Sequence, residues 1–326
     1  MRLALTVWHA CTSSSRSTGR ARFKAAVTGL TQLSAQWQYR RMANHSEATL
    51  ITGCSTGIGR ATAIRLAESG RPVYATARNV SAITDLADYG CELLALDVTD
   101  EDSMESAVAT VVDRHGAVGA LVNNAGYSQS GAIEDLPMES IRRQFETNVF
   151  GLIRMSQLVL PGMREQRAGR IVNIGSMGGK LSFPGGGIYH ATKYAVEAIS
   201  DVLRFELSGF GIRVVLIEPG LIKTNFAEAA LSNMDLPSQT DGAYDEFNEA
   251  VAKNTSAVYE NPLYSRLGGG PDDVAKVIEK AITSDKPKTR YPVTVSAYAF
   301  MGQRKLMTDR MWDAFVRTQF KAPGAE

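Results

Sequence analysis

ATLITGCSTGIGRATAIRLAESG, residues 48–70, holds three signals in a row. ATLIT (48–52) is a short apolar run with β-branched residues, the pattern of a buried strand. It runs into Gly53, Gly57 and Gly59, spaced G-x-x-x-G-x-G. RATAIRLAESG then places Ala63, Ile64 and Ala67 at helical spacing and stops at Gly70. Strand, glycine turn and helix is the context a dinucleotide-binding fingerprint requires. Glycines let backbone approach a pyrophosphate, and a helix N-terminus offers free N–H groups and the positive end of its dipole. The other reading is a tight turn with no ligand. The spacing also differs from G-x-G-x-x-G, so the elements downstream must decide.

They repeat the alternation. PVYATA (72–77), LLALDV (93–98) and ALVNN (120–124) read as further strands, with an amphipathic helix at 102–116. RIVNI (170–174) and IRVVLIEPG (212–220) continue the series, and RYPVTV is a possible seventh strand. Such alternation predicts a parallel sheet in an α/β fold. The second strand ends Ala77-Arg78. A unit selecting NAD places Asp or Glu near this strand end, on the ribose hydroxyls. Here no carboxylate opposes a 2′-phosphate and a guanidinium is available to bind it, unless Arg78 is only a solvated loop residue. NNAG (123–126) puts small and amide residues at a strand's carboxyl end, which suits a ligand crevice or a plain turn.

Composition sets bounds. The chain is 44% hydrophobic and 21% charged, ordinary for a globular protein. Its net charge of +1 conceals an asymmetry. Residues 1–46 hold Arg2, Arg16, Arg20, Arg22, Lys24, Arg40 and Arg41 and no acid. That leaves 28 of the 35 basic residues against all 34 acidic ones in the body, a net of −6, which argues against nucleic acid as a partner. Cys11, Cys54 and Cys91 form no CxxC site or disulfide framework, and the four histidines show no ligand spacing, so no metal is expected. No apolar run reaches transmembrane length. The Ser-, Arg- and Ala-rich residues 1–46 fit an organellar transit peptide, or a disordered or non-native extension ahead of a domain that starts at Met42. The domain then spans 47–326, with a cytoplasmic location expected unless residues 1–41 direct it to an organelle.

GSMGGKLSFPGGGIYHATK (175–193) carries the chemistry. Tyr189 and Lys193 are four apart and share a face if the run is helical. Ser176 follows RIVNIG, a strand end feeding a glycine-rich turn. A free tyrosine, with a pKa of about 10, is a poor proton carrier at neutral pH. A nearby ammonium favours phenolate, and lowering that pKa by about 3 units takes about 4 kcal/mol. A serine hydroxyl beside the phenol would bind the substrate oxygen. Eleven Tyr and eleven Lys yield roughly 0.4 chance Y-x-x-x-K pairs, so this pair carries weight only with its surroundings. Asn148 lies inside a long helical stretch opened by Pro137, where Asn is a poor helix former. Either it faces solvent or its amide performs hydrogen-bonding work.

Past strand six, residues 221–270 read as a partly helical insertion of the kind that covers ligand sites, the ordinary surface excursion being the alternative. Phe226, Met234, Leu236, Phe247 and Tyr259 suggest an apolar lid and a bulky lipophilic substrate. A helix follows at 271–284, and 297–320 is an amphipathic helix or helix pair within a carboxyl-terminal extension (297–326). The helix after Tyr189 is expected to run to about Ser208 with Ala195, Ile199, Val202 and Leu203 on its core face.

In sequence order, TGCSTGIG (52–59), Asp97 in LDVTD, NNAG (123–126), Asn148, Ser176, Tyr189-x-x-x-Lys193 and Pro219-Gly220 resemble the short-chain dehydrogenase/reductase family. The resemblance covers about residues 48–225. It implies a single doubly wound domain with a parallel seven-stranded sheet, ordered 3-2-1-4-5-6-7. It implies Tyr189 as general acid/base, Ser176 orienting the substrate oxygen, Lys193 on the nicotinamide ribose and Asn148 placing a relay water. Cofactor contacts are expected from Gly53, Ser55, Thr56, Gly57, Ile58, Gly59, Arg78, Asp97, Val98, Asn124, Ala125, Gly126, Tyr189, Lys193, Pro219, Gly220 and Thr224. The extension is loosely similar to the hydroxysteroid and retinol dehydrogenase branch. The expected function is an NADP(H)-preferring oxidoreductase, NAD(H) being possible, that interconverts a carbonyl and an alcohol as a homodimer or homotetramer. A 3-oxoacyl-thioester reductase and a non-catalytic NADP-sensing scaffold are the alternatives. The intact Ser-Tyr-Lys set argues against the scaffold, which would not need it.

Overall fold

In the computed structural model, the described residues are 45–324 except 225–229, 231–232, 235–237 and 261–265, and the side chains of 258–260 are also excluded. The expectations for residues 1–44, Phe226, Leu236 and the Tyr259 side chain therefore lie outside the described residues. The strands are β1 (Thr49–Ile51), β2 (Val73–Ala77), β3 (Glu92–Ala95), β4 (Ala120–Asn123), β5 (Gly169–Ile174), β6 (Ile212–Pro219) and β7 (Arg290–Val293). They form one parallel sheet in the order β3-β2-β1-β4-β5-β6-β7. The order reverses between β1 and β4, and such a switch point opens a crevice at the carboxyl ends of the strands.

Alternation along the strands builds a core on each face. Ile51, Val122, Val172, Val215 and Ile217 point to one side, where they meet α1 (Gly57–Glu68) and a helix at Pro271–Thr283 through Ala63, Leu66, Val274 and Ile278. Leu50, Leu121, Ile171 and Val214 point to the other, against α2 (Glu101–His115) and a helix at Gly151–Gln166 through Val108, Val111, Met155 and Met163. Among the described residues the other α-helices, in chain order, are α3 (Met138–Phe145), α4 (Gly151–Gln166), α5 (Gly187–Glu206), α6 (Asp245–Glu260), α7 (Pro271–Thr283), α8 (Val295–Leu306) and α9 (Asp309–Gln319). The carboxyl-terminal stretch is thus a helix pair.

Two helical expectations need correction. The run opened by Pro137 is not one α-helix: α3 and α4 are joined by a π-helical turn at Glu146–Phe150. Val202 is not on the core face of α5, being 55% exposed, whereas Val196 and Ser200 are fully buried. The buried stripe of α5 follows His190, Lys193, Val196, Glu197 and Ser200, which turns Val202 outward. No helix among the described residues is long and apolar enough to cross a membrane. Cys54 and Cys91 are free and buried, and burial pushes their thiols up to about 12 and about 11, so they remain protonated at neutral pH.

Candidate active site

Strand ends and helix starts bring Ser176, Tyr189 and Lys193 to one cleft of about 810 Å³. Ser176 stands just past β5 as N-cap of a short 3-10 turn (Met177–Gly179), its Oγ accepting from the Gly178 amide at 3.0 Å. Tyr189 lies in the first turn of α5 and Lys193 one turn on. The Lys193 Nζ is buried, donates to the Ile174 carbonyl at 2.8 Å and stands 5.7 Å from the centroid of the Tyr189 ring. Burial pulls this ammonium down to about 8. A cation so placed favours negative charge on the neighbouring phenol.

Asn148 is 3% exposed and does not line the cleft. It sits in the π-helical turn, and its side chain accepts from the Tyr127 amide at 3.1 Å. Its Nδ2 donates to the Tyr127 carbonyl at 2.9 Å and to Thr192 Oγ1 at 3.1 Å. Thr192 Oγ1 in turn donates to the Tyr189 carbonyl at 2.7 Å. The amide therefore stitches the loop after β4 to the turn that carries the tyrosine. Its poor helix propensity is accommodated by the wider turn, a device common at functional sites.

The other half of the cleft is a cradle. Gly53 and Gly57 have φ of +73° and +59°, which only glycine adopts at no steric cost. A Cβ on Gly59 would collide with the Gly53 carbonyl oxygen and lie 2.5 Å from Asn124 Nδ2. Gly59 therefore shapes the loop from behind rather than lining it. Asn124 Nδ2 donates to the carbonyls of Thr52 and Gly53, both at 2.9 Å, while Thr52 Oγ1 accepts from the amides of Asn124 and Ala125. These bonds lock the ends of β1 and β4 together. Thr56, the N-cap of α1, makes no side-chain capping bond, and the first turn of α1 carries no acid. Its amides are thus presented to an anion, and the cradle fits a dinucleotide pyrophosphate.

Ser55, Thr56, Gly57, Ile58, Arg78, Asp97, Val98, Asn124, Ala125, Gly126, Pro219, Gly220 and Thr224 all line the cleft, with Gly53, Ser176, Tyr189 and Lys193. Asp97 uses Oδ1 to hold the Thr99 amide and hydroxyl at 2.9 and 2.8 Å. Arg78 is exposed at the end of β2. Of the described residues in the 221–270 segment, Leu221, Ile222, Thr224 and Asn233 reach the cleft while Met234 and Phe247 do not; Phe247 packs on Tyr244 instead. The apolar wall comes from Met177, Leu181, Phe183, Leu221 and Ile222.

Sequence reasoning missed several lining groups. Arg143 and Thr147 reach the cleft from the α3 side, and Arg143 with Arg78 opposes the burial that raises the Tyr127 phenol. Arg143 lies one helical turn before Thr147 and five residues before Asn148, a spacing that could have drawn notice. His190, next to Tyr189, also lines the cleft. Behind it, Glu197 is held by Lys180 at 2.6 Å and Arg290 at 3.0 Å. Burial, then the Glu197 carboxylate, pushes the Glu218 carboxyl up.

Residues 47–235 match the family model for short chain dehydrogenases. The chain belongs to the short-chain dehydrogenase family. Among its relatives, the uncharacterized oxidoreductase YusZ of Bacillus subtilis is 36% identical over 283 residues, covering 84% of this chain and 98% of its own. Retinol dehydrogenase 16 of Rattus norvegicus is 34% identical over 277 residues, covering 82% and 87%. A short-chain dehydrogenase structure from Streptomyces avermitilis, 36% identical, superposes with a TM-score of 0.68 over 80% of this chain and 92% of its own. The protein is accordingly an NAD(P)-dependent short-chain oxidoreductase.

Proposed function

We propose that this short-chain oxidoreductase prefers NADP(H) and interconverts a lipophilic carbonyl compound with its secondary or primary alcohol, using Tyr189 as general acid/base. The observation that carries the reading is the buried Lys193 ammonium, 5.7 Å from the Tyr189 ring in a cleft whose other half is an anion cradle. In this reading the Ser176 hydroxyl holds the substrate oxygen. The Tyr189 hydroxyl gives that oxygen a proton during reduction and, as phenolate, takes it back during oxidation. Lys193 keeps the phenolate accessible and binds the cofactor ribose, and Asn148 fixes the turn behind them. The nicotinamide, when bound, supplies or accepts the hydride.

Two further features support the finer assignments. Arg78 and Arg143 stand at the cleft with no carboxylate at the end of β2, which favours a 2′-phosphate. The walls of Met177, Leu181, Phe183, Leu221 and Ile222 favour an apolar substrate, as does the likeness to a retinol dehydrogenase. The test is turnover on a panel of lipophilic ketones, aldehydes and alcohols with NADPH or NADP⁺, run beside acyl thioesters and small keto acids. Tyr189→Phe should bind cofactor normally and lose about 10²–10⁴ in single-turnover rate. A rate within about threefold of the parent, far short of the general acid/base range, would remove Tyr189 from the mechanism. A kcat/KM far higher for a small charged keto acid than for every lipophilic compound would overturn the substrate class.

A further inference from the structure

His190 follows Tyr189 directly and takes no part in the proton transfer just described. Its ring is buried, and both nitrogens engage the loop that leads from Ser176 to α5. Nδ1 lies 3.0 Å from the Gly178 carbonyl, which can only accept. Nε2 lies 3.1 Å from the Phe183 amide, which can only donate. Those two partners permit one state of the ring: neutral, with its proton on Nδ1. The loop is shaped around that ring. A Cβ on Gly178 would stand 2.8 Å from Nδ1, and one on Gly186 would stand 2.9 Å from Nε2.

The same loop carries the carboxyl-terminal helices. The Phe183 ring meets His190 edge-on at 6.4 Å and packs on Trp312 and Phe300 at 5.5 and 6.2 Å. Trp312 Nε1 donates to the Ser182 carbonyl at 3.3 Å. A continuous set of contacts therefore runs from α8 and α9, through Ser182 and Phe183, to the residue beside the tyrosine.

We propose that His190 is a positioning residue: as a neutral imidazole it ties the 177–183 loop, with the carboxyl-terminal helices seated on it, to the turn of α5 that bears Tyr189. Ser176 and Tyr189 then keep their spacing around the substrate oxygen. The inference rests on the roles given to those two residues above, and it extends them to a residue that touches neither reacting atom.

A proton on Nε2 would set two donors against each other at Phe183 and release the loop. Burial holds His190 below the usual histidine range, while the bond to Gly178 opposes that effect. The clamp is thus closed at neutral pH and opens only in acid. The ionisable groups on the elements around it include Tyr189, Lys193, Tyr194, Glu197, Asp201, Arg204 and Glu206 on its own helix, Lys180 after the 177–179 turn, and Glu218 on β6. α8 adds Tyr298, Arg304 and Lys305, and α9 adds Asp309, Arg310, Asp313 and Arg317, with Glu197 paired to Lys180 and Arg304 stacked on Trp312 and paired to Asp309. Reduction needs Tyr189 protonated, so acid does not remove the group that performs it. An acid limb in that direction that responds to His190 reports the clamp.

The full-length protein, its Tyr189→Phe variant and two His190 variants are compared between about pH 5 and pH 8, the range across which imidazole changes charge. The substrate is the most active carbonyl compound of the panel, with NADPH. Parent kcat/KM should fall on the acid side. His190→Gln offers Phe183 an acceptor that does not titrate; it should lose that limb and stay within about threefold of the parent at neutral pH. His190→Ala should lose about tenfold in kcat/KM for the carbonyl compound, the scale of an unpaired buried backbone group, with NADPH affinity unchanged. Amide hydrogen exchange over residues 177–186 supplies a readout independent of turnover. Protection, taken relative to the intrinsic exchange rate at each pH, should fall in acid for the parent and at every pH for His190→Ala, but not for His190→Gln. An acid limb identical in parent and His190→Gln, or slow exchange in His190→Ala, would overturn the clamp. Full turnover by Tyr189→Phe would strike the acid/base reading alone.

Discussion

Lys193→Met replaces a buried ammonium with an apolar chain of similar length, and its effects on stability and on activity should run in opposite directions. Burial brings the ammonium from 10.5 to about 8. At about 1.4 kcal/mol per unit, holding the charged form in the fold costs about 3 kcal/mol at neutral pH. The sign follows from proton counting. Below about 8 both folded and unfolded chains carry the proton, and the cost is complete. Between about 8 and 10.5 only the unfolded chain keeps it, so parent stability rises with pH through that window. The Ile174 carbonyl opposes the gain in the variant. It loses a donor at 2.8 Å, and an unpaired buried acceptor costs about 1–3 kcal/mol. Lys193→Met should therefore equal or exceed the parent by up to about 2 kcal/mol at pH 7, and fall below it by about 1–3 kcal/mol near pH 10.5. Denaturant unfolding at the two pH values measures this directly. Turnover should drop at least about 10²-fold at both, because the phenol loses its adjacent cation. A stability difference of the same size and sign at both pH values would show that Lys193 is not held as a desolvated ammonium, and the argument for its hold on Tyr189 would go with it.

The remaining predictions concern the cradle. Arg78→Ala should raise KM for NADP(H) by roughly tenfold to a hundredfold and leave NAD(H) nearly unchanged, the scale of a charge-assisted hydrogen bond; steady-state kinetics with both cofactors check it, and equal kcat/KM for the two in the parent would reduce Arg78 to a loop residue. Gly59→Ala forces a methyl against the Gly53 carbonyl and the Asn124 amide, so it should cost about 1–3 kcal/mol in stability and weaken NADPH binding at least tenfold. Thermal unfolding and a fluorescence titration would show this, and an unchanged affinity would mean that the loop can shift without loss of its anion site.

The parallel sheet was legible because most of its strands are short apolar runs and glycine follows β1, β4, β5 and β6. The Tyr189 pair was legible because its spacing is local. What escaped is what depends on the third dimension. Val202 sits among apolar neighbours in the sequence, yet the stripe it would have joined belongs to Val196 and Ser200. Arg143 draws no notice in the sequence because its place at the cleft depends on how α3 is set against it. His190 looks incidental inside YHATK; only the loop folding back gives both its nitrogens partners. Asn148 was singled out for its poor helix propensity, and its amide does form hydrogen bonds, but a π-helical turn cannot be read from propensity. Met234 and Phe247 show the converse: apolar residues in the right segment that do not line the cleft.

The wide turn at Glu146–Phe150 has a consequence for how this chain can vary. Each residue of an α-helix advances about 100° around the axis, so one residue more or fewer re-aims everything beyond it. Leu152, Met155, Val159 and Met163 lie on the buried side of α4, downstream of that turn. A π-helical turn holds one residue more than an α-helical one, so deleting a residue between 146 and 150 would let the turn close to α and keep these four in phase with Ser140 and Gln144, whereas a deletion within α3 or α4 would swing everything beyond it out of phase. The turn thus stores one spare residue between two halves of a helix. What the loss of that residue would disturb is Asn148, whose bonds to Tyr127 and Thr192 are made from the wider turn.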